Sequence, residues 1–395
     1  MKYAIHGGAA PIRDRPRRGH RTYTRPVIET PTTPGFLSLG QPVARRMARQ
    51  AVEPGRGGRT LLVHGPPGSG KGAFVDDILA LHFCADPDPA RRPCNGCRGC
   101  RDARSRSHPD LVTGSPEAWR EQRSSGESIV AAARRWLMDA AGAPIVAARR
   151  VVLIEHADRA NEQIQNALLK ALEEPTDRHV YILVADEPGR LLPTIRSRSQ
   201  PLRIGAVPRE ELAAFLMDAR RLPADQADAL ARIAGGLTGT ALSYADDHPM
   251  LLWRRRVQTE LLSLLERGRA DRFGSISDLL DETVRLNPPS VEEAGDEART
   301  PASALRGAAA MLVELWLSLT RDLIVAAAGR DELAPSRELA PELAALAGRI
   351  GPARLVRMAA LLEKVHGGLR EAAAPKLALE AAMLAWPLLS QPRDR

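Results

Sequence analysis

Residues 59–72 read RTLLVHGPPGSGKG, and this stretch sets the fold class of the chain. Its first half is a short apolar run rich in β-forming residues, and its second half is a glycine-rich loop that ends in lysine. The residues that follow, GAFVDDILALHF (72–83), place Phe74, Ile78 and Leu81 at helical spacing. A strand, a glycine loop of the G-x-x-x-x-G-K type and a helix, in this order, predict a phosphate-binding loop.

Several residues of the loop are suited to bind the phosphates of a nucleotide. Gly65, Gly68 and Gly70 leave successive backbone N–H groups free to point at phosphate oxygens, and the start of the next helix adds a partial positive charge. Lys71 adds a full positive charge at the same place. We therefore expect these four residues and the adjacent Gly72 to form a nucleotide-binding loop for ATP or ADP, either a working or a vestigial one.

Hydrolysis needs groups that this sequence lacks. The residue after the lysine normally gives a hydroxyl to Mg²⁺, but Gly72 has no side chain. The apolar strand VVLI (151–154) is followed by Glu155 and His156, where a metal-binding carboxylate and a second acid are needed. Glu155 can still reach a metal, whereas His156 is a poor replacement for an acid. We expect weak nucleotide binding, a defective Mg²⁺ site and no strong ATPase activity of this chain.

The first half of the chain alternates strands and helices. VVLI (151–154) and YILVADEP (181–188) are apolar runs without polar alternation, as in central strands of a parallel sheet that is covered on both faces. The helix NEQIQNALLKALEEP (161–175) lies between them. These features predict an α/β domain at 36–204 with a parallel sheet. Short amphipathic helices predict a small helical domain at 205–248, and long helices predict an all-α domain at 249–395.

All four cysteines lie in one short stretch, with the spacing C-x9-C-x2-C-x2-C. Four thiolates suit a closed, tetrahedral, structural Zn²⁺ site, and a small insertion at 84–100 cannot bury a core of its own. A disulfide pair is disfavoured because the chain has no apolar signal core, and an iron–sulfur cluster remains an alternative. The proposed ligands are Cys84, Cys94, Cys97 and Cys100.

The formal net charge of +8 comes mostly from the N-terminal end. Residues 1–30 contain seven Lys or Arg residues against Asp14 and Glu29, in a Pro-rich context typical of a disordered tail, which we place at 1–35. The tail is either a solvated extension or a nucleic-acid contact. No apolar run reaches the roughly 18–20 residues of a membrane span, so we expect a cytoplasmic protein without a membrane partner.

Several motifs together resemble a known family. In order, they are the glycine loop, the cysteine insertion, HPD (108–110), VVLIEHAD (151–158), NALLKALEEP (166–175) and LLPTIRSRSQ (191–200). This set is similar to the clamp-loader subunits of bacterial DNA polymerase III, AAA+ proteins that include the gamma/tau and delta-prime types. The resemblance implies an AAA+ P-loop domain with a zinc-module insertion, then a small helical lid domain and an all-α collar domain that forms oligomers.

The departures from the motor motifs resemble the delta-prime type. Motor subunits of the gamma/tau type keep a Thr after the lysine and an Asp-Glu pair after the strand, where this chain has Gly72 and Glu155-His156. Thr240 also stands where a motor subunit would carry a sensing Arg. The cysteine insertion does not discriminate, because both types carry it.

The resemblance also implies partners and a role for one arginine. The family works as a hetero-pentameric ring, with gamma/tau and delta subunits, that loads the sliding clamp onto primer–template DNA. In its serine-arginine-cysteine motif, here Ser197-Arg198-Ser199, the arginine acts in trans on a neighbour's ATP. Arg198 is therefore the expected catalytic residue, and the enzyme activity belongs to the polymerase complex. Lys170, Glu173 and Glu174 are candidate contacts to a neighbouring subunit.

Two other functions remain open from the sequence. The chain could be an active gamma/tau-type motor ATPase with altered motifs. Alternatively, it could be a stand-alone, zinc-containing nucleic-acid module, as the basic tail suggests. The modest charge of the remaining residues argues against strong DNA binding by the folded part alone.

Overall fold

The computed structural model describes residues 34–52, 60–173, 177–246, 248–286, 302–330, 333–334, 339–370 and 373–389. The predicted basic tail therefore lies outside the described residues, apart from Pro34 and Gly35, and so does Glu174. No helix in the described part of the chain has the length and hydropathy that crossing a bilayer requires.

A five-stranded parallel sheet forms the centre of the first part, as the apolar runs predicted. Its strands are β1 (Thr60–His64), β2 (Leu111–Gly114), β3 (Arg150–Ile154), β4 (His179–Ala185) and β5 (Gln200–Arg203). The spatial order is β2-β3-β4-β1-β5, and every neighbouring pair is parallel. The strand that leads into the glycine loop, β1, therefore has a neighbouring strand on each side. The loop follows the carboxyl end of β1, and ligands of open α/β folds bind at the carboxyl ends of the strands.

Helices cover both faces of this sheet. They are α1 (Pro42–Val52), α2 (Lys71–Phe83), α3 (Arg98–Arg104), α4 (Pro116–Glu121), α5 (Ile129–Ala140), α6 (Glu162–Glu173) and α7 (Pro193–Ser197). On one face, Leu61 and Val63 of β1 pack in the same core as Phe74 of α2. On the other face, Leu62 packs with Ile164 and other residues of α6. Alternate residues of one strand thus enter two different cores.

Two further helical parts have cores of their own. Helices α8 (Arg209–Arg220), α9 (Ala224–Ile233) and α10 (Thr238–Asp246) pack around Leu212, Leu216 and Leu230. A larger core unites α11 (His248–Ser263), α12 (Arg269–Leu286), α13 (Ala302–Ala327), α14 (Ala340–Ile350), α15 (Pro352–Arg370) and α16 (Pro375–Ala385). Below, the first group is called the lid helices and the second the collar helices.

Two adjacent buried aspartates of α2 connect three parts of the first domain. Asp77 accepts hydrogen bonds from the backbone N–H groups of Leu37 at 2.9 Å and Ser38 at 2.7 Å, and from the Arg104 guanidinium at 2.8 Å. Asp76 accepts one from Arg106 Nε at 3.0 Å. Both arginines follow the cysteine-rich insertion, so these contacts fix the exit of that insertion against the central helix.

The Asp77→Ala substitution should destabilise the protein by about 3 kcal/mol or more. It would remove the carboxylate that pairs with the largely buried Arg104 and accepts from two backbone N–H groups, while the hydrogen bonds from Arg104 to Asn95 Oδ1 would remain. Breaking one side of a buried ion pair costs this much. Urea denaturation followed by circular dichroism measures the change. Asp218→Ala is the matched control, because the Asp218–Arg221 pair is 4.0 Å long and both side chains are highly exposed. Equal unfolding midpoints for the two variants would contradict this account.

Candidate functional site: a closed phosphate loop, a cysteine cluster and an exposed arginine

The glycine loop has the backbone that its sequence predicts. Gly68 and Gly70 have φ values of 74° and 93°, in the left-handed region that favours glycine, and α2 begins directly after the loop at Lys71. A Cβ at Gly65 would lie 1.9 Å from the carbonyl oxygen of Ile204, so a larger residue cannot replace it without backbone movement. The loop geometry is thus retained.

The charge of Lys71 is satisfied within the chain. Its Nζ donates hydrogen bonds to the carbonyl oxygens of Gly65 at 2.8 Å and Pro66 at 2.9 Å. It also forms an ion pair with Asp186 Oδ1 at 2.7 Å, and both side chains are mostly shielded from solvent. Asp186 directly follows β4, at the same end of the sheet as the loop. A phosphate would therefore have to compete with a carboxylate for this lysine.

Glu155 is also neutralised, by an arginine that the sequence analysis did not single out. Arg106 donates from one terminal guanidinium nitrogen to Glu155 Oε1 at 2.6 Å and from Nε to the buried Asp76 at 3.0 Å. The guanidinium thus bridges two carboxylates beside the loop, where a divalent cation would otherwise find its carboxylate ligand. Arg106 has a φ of 57°, which is unusual for a non-glycine residue. Its sequence position, 49 residues from Glu155, gave no signal.

A cavity of about 290 Å³ lies beside the loop, and it adjoins Gly68, Lys71, Gly72, Glu155, His156 and Asp186. The structure thus brings together the loop residues and the residues after β3, as the sequence analysis expected. Gly72 faces open space, since a Cβ placed there would have no other atom within 4 Å. The missing hydroxyl at this position is therefore not a result of steric crowding.

The lid helices contact the loop directly. The N–H group of Gly239, in the first turn of α10, donates to the Gly68 carbonyl oxygen at 2.7 Å. The Thr240 N–H group donates to the same oxygen at 3.3 Å. A Cβ at Gly68 would lie 2.1 Å from Thr240 Oγ1. Thr240, a residue with a short neutral side chain, thus lies directly beside the loop.

The four cysteines form a cluster that could hold a metal ion such as zinc. Their sulfur atoms all lie within 4.8 Å of one another. The backbone N–H of Cys94 points at the sulfur of Cys84 at 3.3 Å, and that of Cys100 points at the sulfur of Cys97 at 3.4 Å. Such N–H contacts stabilise thiolates, which are the metal-binding form. Gly99 permits close packing, since a Cβ there would lie 2.0 Å from the Phe83 carbonyl oxygen.

The thiols of the cluster differ in acidity. Burial alone would raise the pKa of Cys94, but the N–H groups of Cys97 and Gly96, together with neighbouring thiols, bring this pKa down to about 7. Burial raises the pKa of the Cys100 thiol. A bound metal would favour the deprotonated form of each ligand, and binding would then release protons.

Arg198 lies at the surface, at the end of the short helix α7. Its guanidinium donates to the Thr194 carbonyl oxygen at 3.2 Å and forms an ion pair with Glu173 at 3.1 Å, and both side chains of the pair are more than 40% exposed. The adjacent Ser199 is buried, and its hydroxyl donates to the Ile195 carbonyl oxygen at 2.7 Å. The serine at this position of the motif therefore packs locally, while the arginine faces outward.

The first part of the chain is similar to a known protein family. Residues 40–208 match the family model described as DNA polymerase III, delta subunit. This part of the chain is similar to the proteins of that family. The match covers the whole sheet, the glycine loop, the cysteine cluster and Arg198, and it ends before the lid helices.

Curated relatives of two types are similar to this chain. It is 34% identical to DNA polymerase III subunit delta' of Pseudomonas aeruginosa, over 46% of this chain and 53% of that protein. Identity to the delta' subunit of Escherichia coli is 30%, over 49% and 56% of the two chains. The gamma/tau subunit of Mycobacterium bovis is 28% identical over 84% of this chain and 57% of its own length. The chain thus spans about half the length of the curated relatives it matches.

A pair of glycine variants tests the contact between the glycine loop and the lid helices. Gly68→Ala should destabilise the protein by about 1–3 kcal/mol, because the new methyl group collides with Thr240 and the backbone is left-handed. Gly72→Ala is the matched control and should stabilise it by about 0.5–1 kcal/mol, because it fills open space in a helix. Urea denaturation measures both. Shifts of the same sign would contradict the observed contact.

Proposed function

We propose that this chain is a delta-prime-type subunit of the DNA polymerase III clamp loader. In this role it helps to load the sliding clamp onto primed DNA, within a hetero-pentameric ring that contains gamma/tau and delta subunits. Such a role places the chain in the cytoplasm, as one component of the polymerase complex. The proposal is supported by the family match of residues 40–208 and by the two delta' relatives.

The observation that carries the proposal is the charge pairing at the phosphate loop. Lys71 is paired with Asp186, and Glu155 is paired with Arg106. For ATP hydrolysis, Lys71 would have to break its ion pair with Asp186, and Mg²⁺ would have to displace the Arg106 guanidinium from Glu155. Gly72 offers no hydroxyl group as a further Mg²⁺ ligand. We therefore infer that the chain is a fixed member of the ring that does not itself drive the ATP cycle.

A vestigial nucleotide site is consistent with this geometry. Gly65, Gly68, Gly70, Lys71, Gly72 and Glu155 are the residues that ATP or ADP would meet. The cavity of about 290 Å³ is at the small end of ligand pockets, which span roughly 300–1,000 Å³. Binding would rest on backbone N–H groups, and it would be weak because the lysine is already paired. Mg²⁺ is not expected to contribute.

Arg198 is the residue that we propose acts in trans. Among the described residues, its guanidinium group contacts only Glu173 and the Thr194 carbonyl oxygen. An exposed ion pair of this kind contributes little, about 0–1 kcal/mol, so the guanidinium can move to a stronger anionic partner at low cost. A neighbour's γ-phosphate is such a partner. Glu173 and Lys170, on α6, would then lie close to the same interface.

We propose that the cysteine cluster binds one structural Zn²⁺. Cys84, Cys94, Cys97 and Cys100 supply four sulfur ligands, which leaves no open coordination position for catalysis. The insertion leads through α3 to Arg104 and Arg106. Its order therefore supports the pairing of both buried aspartates of α2.

A gamma/tau-type motor ATPase is the second candidate. The observation in its favour is the Mycobacterium bovis relative, whose similarity extends over 84% of this chain, whereas the delta' similarities cover about half of it. The internal ion pairs at Lys71 and Glu155 argue against it.

Replacing Arg198 tests both the proposed role and the alternative. In a complex reconstituted with gamma/tau and delta, Arg198→Ala should slow hydrolysis at the contacted site by on the order of 10³-fold, because the γ-phosphate loses its guanidinium. Arg196→Ala, at an exposed position two residues away, is the matched control and should leave the rate unchanged. Single-turnover ATP hydrolysis is the measurement. Equal rates for the two variants would remove the role of Arg198.

The purified chain alone separates the two candidates. As a delta-prime-type subunit it should show negligible ATP turnover with or without primed DNA. DNA-stimulated turnover that Lys71→Ala abolishes would establish the motor function instead.

The metal proposal predicts about one zinc ion per chain after purification without added metal. Cys97→Ser should lose the metal and destabilise the protein, because it removes one of the four ligands, whereas a serine oxygen can still cap the start of α3. Ser105→Ala, at an exposed position after α3, should retain the metal. Elemental analysis of the three proteins is the measurement. A folded wild-type protein without any metal would contradict the proposal.

A further inference from the structure

A second cavity opens between the collar helices, and its lining shares no residue with the cavity beside the phosphate loop. It has a volume of about 420 Å³ and lies between the start of α12, the start of α15 and the residues after α16. Four arginines line it: Arg269, Arg272, Arg354 and Arg357. The lining contains no acidic residue. Its other members are apolar: Phe273, Met383, Leu384, Ala385, Trp386, Pro387 and Leu388. We call this cavity the arginine cleft.

One arginine of the cleft is held rigidly in place. Arg272 is only 4% exposed, and it donates to the carbonyl oxygens of Trp386 and Pro387, each at 2.8 Å. It also donates to the carbonyl oxygens of Arg267 at 3.1 Å and Leu265 at 3.4 Å. All of these acceptors are neutral. Burial, together with the nearby Arg269, lowers the pKa of Arg272, as expected for a cation without an adjacent carboxylate.

The other three arginines of the cleft are exposed and have no carboxylate partner among the described residues. Neighbouring surface arginines differ in this respect: Arg267 pairs with Glu260 at 3.0 Å, and Arg349 pairs with Glu266 at 2.7 Å. Positive charge is therefore concentrated in the cleft and compensated around it. Clustered positive charges repel one another, so the binding of an anion in the cleft would be favourable.

Two exposed leucines give the cleft an apolar side. Leu384 and Leu388 are 57% and 55% exposed, although both are large aliphatic residues. They lie beside the arginines, on the last turn of α16 and in the segment after it. A ligand that filled the cleft would thus meet guanidinium groups and aliphatic side chains together.

We propose that the arginine cleft binds an acidic peptide segment of a partner protein that also carries an apolar side chain. Carboxylates form paired hydrogen bonds with guanidinium groups, and an apolar residue would cover Leu384 and Leu388. A single nucleic-acid strand fits less well. Its bases need exposed aromatic faces, but Trp386 is only 2% exposed, Phe273 is partly buried, and the exposed apolar residues, Leu384 and Leu388, are aliphatic.

Peptide binding to the full chain tests this proposal. The probe is a fluorescein-labelled peptide, Glu-Glu-Glu-Glu-Leu-Phe, measured by fluorescence anisotropy at low and at physiological salt. The test variant is Arg354→Ala with Arg357→Ala, which removes two exposed charges at the start of α15 and spares the buried Arg272. The control variant is Arg255→Ala with Arg285→Ala, two exposed arginines that do not line the cleft. Both variants change the net charge by the same amount.

The peptide should bind the wild-type chain and the control variant alike, and the test variant should bind at least about tenfold more weakly, the scale of one lost charged hydrogen bond. A peptide with four Gln residues in place of Glu, and one with Gly-Gly in place of Leu-Phe, should each bind more weakly. The proposal is overturned if no binding is detected, if the two variants bind equally, or if the Gln peptide binds as well. Displacement of the peptide by an oligothymidine that binds more tightly through Arg354 and Arg357 would assign the cleft to nucleic acid instead.

Discussion

Two neighbouring carboxylates on one buried helix join separate segments of the first domain. Asp76 and Asp77 of α2 are almost completely buried, and a buried charge needs a partner of opposite sign. Their partners are Arg106 and Arg104, which lie just after the cysteine-rich insertion. The position of that insertion is thus fixed by electrostatics as well as by its own cysteines. Arg106 continues to Glu155, so the same constraint reaches the phosphate loop.

The charged groups of the phosphate site are shielded from solvent, whereas Arg198 and its partner are exposed. At the loop, each cation already has a shielded carboxylate partner, and the lid contributes only neutral groups through Gly239 and Thr240. At the surface, Arg198 has a solvent-exposed partner in Glu173. A paired, shielded site resists the rearrangements that hydrolysis requires, whereas an exposed guanidinium is free to act on another molecule. The same chain therefore has an inward site that is closed and an outward group that is available.

The sequence predicted correctly those structural features that depend on residues close to one another in the chain. The apolar runs at 151–154 and 181–188 predicted buried parallel strands, because a strand covered on both faces has no polar side. The second strand is observed at His179–Ala185. The glycines of the loop predicted its backbone, because Gly68 and Gly70 adopt φ values that other residues avoid. The x2 spacings of the cysteines predicted their clustering. The missed residues were Arg106, Asp186 and the arginines of the collar, since no local pattern distinguishes one arginine or aspartate from the many others.

The sequence by itself determined the strand–loop–helix unit, the loss of the hydroxyl at Gly72, the cysteine cluster and the position of Arg198 in its motif. Only the tertiary structure decided which charges meet. Glu155 and Arg106 form an ion pair across 49 residues of sequence, whereas the buried Arg272 guanidinium donates to the neutral carbonyl oxygen of Pro387, 115 residues away. Ion pairs form between whatever side chains folding brings within a few ångströms, and that proximity depends on the packing of several elements at once. Charge pairing, and with it the closed loop and the arginine cleft, is therefore a property of the folded chain.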